Sequence, residues 1–121
     1  MQATMDYEGL EQVGSLIGSG GVIVMDDSAC MVEVLHNMMH FYAHESCGKC
    51  TPCREGSRWV YDLLTEILAG RGTLQTLEQL NRVAFQIEGR TICAFGEAIS
   101  WPVTSFIEHF REEFEYYVTH Q

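Results

Sequence analysis

Four of the five cysteines have a spacing that constrains this chain more than any other feature of its sequence. Two residues separate Cys47 from Cys50 and Cys50 from Cys53, and Cys93 follows after a further 39 residues. Thiolates this close together in a tight loop can each bind a different iron of one cuboidal cluster, and a distant cysteine then supplies the fourth ligand. Three cysteines that lie within one short polar loop are not expected to be core residues that occur close together by chance. The spacing therefore predicts one [4Fe–4S] cluster held by Cys47, Cys50, Cys53 and Cys93.

A structural zinc-binding interaction module is the alternative, because four cysteines also suit tetrahedral zinc. Zinc sites usually pair two Cys-x2-Cys knuckles, whereas this chain has a triple and a single cysteine. The spacing favours iron–sulfur over zinc and leaves both open.

The residues around the cysteine loop fit an anionic group. Gly48 allows the backbone to approach a cluster closely, since it has no β-carbon. Cys53 is predicted at a helix N-terminus, where N–H groups and the helix dipole favour a thiolate. Lys49, Arg54 and Arg58 are three of only seven basic residues in the chain. Cations placed there would stabilise a cluster and raise its reduction potential.

Apolar residues recur at helical spacing in four further segments, which predicts four amphipathic helices. These helices are expected over about 29–44, from Pro52 to about Ala69, over about 74–88, and along a last stripe from Val103 to Val118. Thr51 is predicted to cap the second helix, with Pro52 at its first position. Pro102 is predicted in the first turn of the last helix or at a kink. Short connections favour a four-helix bundle, so the predicted fold class is all-α.

The N-terminal part has a different pattern. Leu10, Val13 and Leu16 have the spacing of a short helix, and Val22-Ile23-Val24 is typical of one short strand. Gly18-Ser19-Gly20-Gly21 precedes this strand, whereas phosphate-binding loops follow a strand and open a helix. A plain turn is therefore predicted there, within a short β-containing N-terminal remnant.

Composition and charge exclude several classes of function. The net charge of −10, from 7 basic and 17 acidic residues, argues against nucleic acid and anionic membrane surfaces as partners. No apolar run approaches the roughly 20 residues that a membrane helix needs. The first ten residues show neither the basic region nor the apolar core of a secretory signal. We therefore expect a cytoplasmic protein with reduced thiols and no direct membrane insertion.

Two weaker features are interpreted as structural. His36, His40 and His44 share one helical face opposite an apolar stripe, which favours a solvated face over a metal site. That stripe consists of Met31, Val34, Leu35, Met38 and Tyr42. Cys30 has no partner at ligand spacing and is interpreted as a small buried hydrophobic residue.

Three segments resemble one known family. Residues 45–56 (ESCGKCTPCREG) resemble the cluster loop of the NADH-binding flavoprotein subunits of respiratory complex I. Residues 91–97 (TICAFGE), followed by Trp101-Pro102-Val103, resemble the segment that carries the family's fourth ligand. Residues 18–24 resemble the stretch that leads into the family's helical domain. Related subunits of NAD-reducing hydrogenases and NAD-linked formate dehydrogenases share the loop, so the resemblance includes them.

The resemblance implies both a fold and a function. In this family the corresponding region is a four-helix bundle with one [4Fe–4S] cluster, which accepts electrons from FMN after NADH has reduced the FMN. Cys47, Cys50, Cys53 and Cys93 match the family's ligands. The resemblance thus implies electron transfer towards quinone through further iron–sulfur centres.

It also implies how the chain is organised and with what it assembles. Residues 1–27 would be the remnant of a preceding ubiquitin-like β-domain, and residues 28–121 the helical [4Fe–4S]-binding domain. FMN and NADH would bind to a missing upstream domain or to a partner, so the chain alone is not expected to be catalytic. Its partners would be the flavin-bearing domain and iron–sulfur subunits of an NADH dehydrogenase-type complex. The complex would place it peripherally at the inner membrane, on the matrix side in a eukaryote.

Overall fold

The computed structural model describes residues 3–120, and every regular element within that range is an α-helix. The helices are α1 Tyr7–Gln12, α2 Met31–Glu45, α3 Thr51–Leu68, α4 Leu74–Ile87, α5 Phe95–His109 and α6 Arg111–Thr119. The all-α fold class is confirmed. Among these helices, none is long and apolar enough for a membrane span.

Helices α2 to α5 form the bundle, and α6 packs beside them. From α2 onwards, helices that follow one another along the chain are neighbours in space, and α2 also contacts α5, which closes the bundle. The core is made of aliphatic side chains from all five helices, with Phe114 of α6 fully enclosed among them. Burial of each such side chain stabilises the fold by about 1.5–3 kcal/mol.

The buried face of α2 differs from the predicted stripe. Val32, Leu35 and Met39 are fully buried, whereas Met38 and Tyr42 pack only at the edge of the core. Helix α2 has apolar residues on most of its circumference, so periodicity alone did not define which face the neighbouring helices cover.

The prediction of a solvated histidine face was wrong for His36. Its Nε2 lies 2.9 Å from Thr65 Oγ1 of α3, and its ring stacks on Tyr61 with 4.7 Å between centroids. His40 and His44 are exposed, as predicted. The predicted face therefore includes one residue that packs between α2 and α3.

The last predicted helix is divided into two. Helix α5 begins at Phe95 and ends at His109, and Phe110 has non-helical angles (φ −126°, ψ 32°) before α6 begins. Pro102 lies well inside α5 and not in its first turn, so of its two predicted positions only the kink stays a prediction. The break lets α6 change direction, so that Phe114 and Val118 pack against the other helices.

The N-terminal segment forms no strand within residues 3–120, so the predicted β-element at Val22-Ile23-Val24 was wrong. All three of its side chains are mostly exposed. A strand needs a second strand to accept and donate its backbone hydrogen bonds, and the described chain offers none. The predicted turn is confirmed, since Gly18 and Gly20 have φ values of 55° and 88° and the Gly20 N–H donates to the Ile17 carbonyl at 2.9 Å.

Candidate iron–sulfur site

The four cysteines at ligand spacing surround one cavity of about 320 Å³. The cavity lies between the start of α3 and the connection from α4 to α5. Its other lining residues are Glu45, Lys49, Ile92 and Phe95. The structure therefore brings together all four cysteines that the sequence selected, although 39 residues separate the last two.

The loop between α2 and α3 places three of these cysteines at successive positions around the start of α3. Cys47 lies in the loop, Cys50 is the N-cap, and Cys53 lies in the first turn. The predicted cap at Thr51 was wrong, because Cys50 still has an extended backbone (φ −113°, ψ 145°) and Thr51 is already helical. Pro52 is consequently the second helical residue, where its missing N–H leaves no helical hydrogen bond unmade.

Gly48 and Arg54 hold the shape of this loop. Gly48 has φ 76°, in the left-handed region that glycine adopts without steric strain. The Arg54 guanidinium donates from Nη1 to the Gly48 carbonyl at 2.8 Å and from Nη2 to Thr51 Oγ1 at 3.3 Å. Arg54 thus braces the loop backbone, while Lys49 is one of the residues that line the cavity.

A close approach of α3 to α4 carries Cys53 towards the segment that bears Cys93. Gly56 lies on α3 one turn after Cys53, and Ile87 is the last residue of α4. A β-carbon at Gly56 would lie only 2.6 Å from the side chain of Ile87. The missing side chain at position 56 therefore allows the start of α3 to meet the end of α4.

Hydrogen bonds from α5 to the end of α4 hold together the two ends of the segment that carries Cys93. Glu97 accepts a hydrogen bond from the Gly89 N–H at 2.8 Å. Trp101 Nε1 donates to Glu88 Oε1 at 2.9 Å. These two contacts tie the end of α4 to α5 and limit the positions that Cys93 between them can take.

The cysteines differ in exposure and in electrostatic surroundings. Cys53 is buried, Cys50 is half-buried, and Cys47 and Cys93 are exposed. Burial raises the pKa of the Cys53 thiol, a hydrogen bond from Ser46 opposes that rise, and the charges of Cys50, Cys47 and Cys93 add to it. The other three cysteines are therefore close enough to Cys53 to influence its thiol. Metal binding would favour their deprotonation, because thiolates are the ligating form.

The four thiols line one cavity. Within residues 3–120, no three His, Cys, Asp or Glu side chains are arranged to hold a single metal ion. A [4Fe–4S] cluster instead takes one thiolate on each of four irons. The four thiols around one cavity fit the cluster.

Ser46 and Thr91 contact the candidate ligands but were not identified from the sequence. Ser46 Oγ lies 3.1 Å from Cys53 Sγ, and the Thr91 hydroxyl donates to the Cys93 carbonyl at 2.6 Å. Hydroxyl residues beside cysteines have no distinctive spacing. Only their adjacency to the two cysteine segments could have indicated them.

Comparison with known proteins gives a consistent result. Residues 33–117 match the family model of the NADH-ubiquinone oxidoreductase-F iron–sulfur binding region. The chain is 44% identical over 113 residues to an NADH-quinone oxidoreductase subunit of Rickettsia bellii, covering 93% of this chain and 27% of the relative. The corresponding subunit of Streptomyces coelicolor is 42% identical over 119 residues, covering 98% of this chain and 26% of the relative. The chain thus spans about a quarter of the length of these relatives.

A solved structure shows the same arrangement of helices. An NAD⁺-reducing [NiFe]-hydrogenase in the air-oxidised state superposes with a TM-score of 0.75 and 36% sequence identity. The superposition covers 78% of this chain and 17% of the hydrogenase chain. The fold is therefore shared with a region of an iron-containing redox enzyme.

Proposed function

Because this chain belongs to the NADH-ubiquinone oxidoreductase-F iron–sulfur binding family, we propose that it transfers electrons through one [4Fe–4S] cluster bound by Cys47, Cys50, Cys53 and Cys93. The observation that carries the proposal is the single cavity lined by all four thiols. These cysteines come from two segments of the chain, as a triple plus a distant fourth ligand requires.

Electrons would enter from FMN reduced by NADH and leave towards quinone through further iron–sulfur centres. The names of the relatives, which are subunits of NADH-quinone oxidoreductases, support this direction. The flavin and nucleotide would bind to another domain or to a partner subunit. Residues 1–27 would belong to a preceding ubiquitin-like domain, and residues 28–121 would form the helical unit. Such a complex would hold the chain peripherally at the membrane.

The residues of this chain have separate roles in that transfer. The cluster would supply the one-electron chemistry when bound. Of the residues that line the cavity, Cys53 is buried, while Cys47 and Cys93 are exposed to solvent. A redox partner would approach at the exposed side. Lys49 adds a positive charge at the cavity wall, which favours an anionic group there.

Anaerobic reconstitution with iron and sulfide tests the proposal. We expect about four irons and four sulfides per chain, brown colour, and visible absorbance that bleaches on reduction. Dithionite should reduce the cluster, whereas NADH should do so only after a flavin-bearing partner is added. A colourless chain that holds one zinc ion after anaerobic preparation would contradict the proposal and support the structural zinc module.

A further inference from the structure

Ser46 makes three hydrogen bonds at the junction between α2 and the cysteine loop. Its backbone N–H donates to the Tyr42 carbonyl at 3.0 Å, which ends α2. Its Oγ lies 3.3 Å from the Gly48 nitrogen and 3.1 Å from Cys53 Sγ. The hydroxyl is thus fixed between the loop backbone and one candidate ligand.

The direction of these bonds follows from the chemistry of the groups. The Gly48 N–H can only donate, so Ser46 Oγ accepts there and keeps its own proton for another partner. A thiolate that binds iron has no proton and can only accept. The Ser46 hydroxyl therefore donates to Cys53 Sγ. The Gly48 N–H polarises this hydroxyl and strengthens the second bond.

Burial makes this bond matter more at Cys53 than it would elsewhere. Cys53 is 6% exposed, whereas Cys47 and Cys93 are exposed and can accept hydrogen bonds from water. At Cys53 the donor must come from the protein. A hydrogen bond to a charged acceptor is also stronger in the low dielectric of a protein interior than in water.

We propose that Ser46 is a positioning residue that raises the reduction potential of the cluster by donating a hydrogen bond to the Cys53 sulfur. This inference rests on the proposed function, because it requires a cluster on the four cysteines. The reduced cluster carries one more negative charge than the oxidised cluster, and much of that charge reaches the sulfurs. A donor to one sulfur therefore stabilises the reduced form more than the oxidised form.

Redox titration of reconstituted variants of the 121-residue chain tests the inference. Ser46→Ala removes the hydroxyl, and Ser46→Thr keeps it. At the wild-type midpoint, we expect Ser46→Ala to lower the ratio of reduced to oxidised cluster about three- to tenfold. A tenfold change corresponds to about 59 mV for a one-electron couple. Ser46→Thr should keep the wild-type potential.

Ser57→Ala is the matched control. Ser57 lies on α3 four residues after Cys53, is 1% exposed, and its Oγ has no hydrogen-bond partner within the described residues. Its replacement removes a buried hydroxyl of the same size without removing a hydrogen bond to a ligand. The potential should stay at the wild-type value. An equal shift in Ser57→Ala would overturn the inference, because it would show a general response to lost hydroxyls.

A spectroscopic measurement separates this role from a merely structural one. The iron–thiolate stretching bands in the resonance Raman spectrum should shift when the wild-type chain is transferred to D₂O, because a bonded proton is exchanged. Part of that shift should disappear in Ser46→Ala and return in Ser46→Thr. An unchanged deuterium shift in Ser46→Ala would contradict a donated proton at Cys53.

The outcomes distinguish this inference from the proposed function. If the wild-type chain binds no iron–sulfur cluster, both the proposed function and the role of Ser46 are contradicted. If the Ser46→Ala chain binds the cluster and has the wild-type reduction potential, only the role of Ser46 is contradicted. Ser46→Gly is a second variant without the hydroxyl, for use if alanine prevents loading. If both variants lose their iron, Ser46 is needed for folding or loading of the site, and its proposed effect on the reduction potential is contradicted.

Discussion

Gly96 and Thr91 are packed so closely that position 96 has no room for a side chain. A β-carbon on Gly96 would lie 2.6 Å from Thr91 Cγ2 and closer still to the hydroxyl oxygen. That hydroxyl donates to the Cys93 carbonyl at 2.6 Å. The contact therefore fixes the segment that carries the fourth candidate ligand against the first turn of α5.

Gly96→Ala should release Cys93 from its position. The new methyl group would displace Thr91 and break its hydrogen bond to the Cys93 carbonyl, although alanine favours the helix itself. We expect a helical chain that holds its cluster weakly or in a three-iron form. Iron and sulfide content and the electron paramagnetic resonance spectrum measure this.

Gly21→Ala is the control for the Gly96 variant. A β-carbon at Gly21 would meet no atom within 4 Å, and the backbone there is not in the left-handed region. Its cluster content should equal that of the wild type. Equal iron content in Gly96→Ala would show that Thr91 does not position Cys93.

Replacement of Cys93 and of Cys30 should have opposite effects on the cluster. Cys93→Ala leaves three thiolates, so a labile or three-iron cluster is expected. Cys30→Ala should keep the cluster, because Cys30 is not among the residues that line the cavity and its Sγ lies 3.3 Å from the Tyr117 hydroxyl on α6. Its loss should cost about 1 kcal/mol of unfolding free energy. Iron loss from a folded Cys30→Ala chain, or an unchanged spectrum in Cys93→Ala, would contradict the assigned ligand set.

Cys30 is also less buried than a small core residue. It is half-buried at the N-cap of α2, and its hydrogen bond with Tyr117, together with burial, raises the pKa of that phenol to about 12. The prediction of a small buried hydrophobic residue is therefore only partly right, since Cys30 packs against the buried cluster of side chains but is itself half-buried. Its polar contact with α6 was not visible in the sequence, because the two residues are 87 positions apart.

The features predicted correctly depend on short-range patterns. The cysteine loop, the helical class and the bounds of α2, α3 and α4 to within two residues follow from the local spacing of cysteines and apolar residues. The role of the four cysteines as ligands stays a prediction. Their meeting around one cavity supports it.

Most of the errors concern contacts between distant segments. The buried face of α2 is chosen by α3 and α5, and the stacking of His36 depends on Tyr61 of α3. The break at Phe110 allows Phe114 to be buried against the other helices. Apolar periodicity along one helix does not indicate such a break. Val22-Ile23-Val24 has the composition of a strand, but composition supplies no pairing partner.

His36 should make stability depend on pH just below neutrality. Burial against α3 and the charge of His40 lower the pKa of His36 below its usual 6.5. As the pH falls through 6.5, the unfolded chain takes up a proton that the folded chain still resists. The folded state therefore loses stability until the pH passes the lower folded pKa.

His36→Gln should reduce this loss, because glutamine can still bond Thr65 but does not titrate. The decrease in thermal midpoint between about pH 7.5 and about pH 5.5 should be smaller than in the wild type. His109→Gln, which changes an exposed histidine of α5, should leave the decrease as it is. An identical pH dependence in wild type and His36→Gln would contradict the lowered pKa.

Lys49 and Arg54 should affect the cluster in different ways, although both are cations near the cysteines, Lys49 in the loop and Arg54 at the start of α3. Lys49 lines the cavity, so Lys49→Met should lower the reduction potential by removing a positive charge beside the reduced, more negative cluster. Arg54 instead bonds the Gly48 carbonyl and Thr51, so Arg54→Met should weaken the loop and lower iron retention. Arg82→Met, on α4 away from the cysteines, is the control for loss of one charge. Redox titration measures the effect on the potential, and iron release to a chelator measures the effect on retention. If Lys49→Met retains its cluster and leaves the reduction potential unchanged, Lys49 faces solvent or a partner instead.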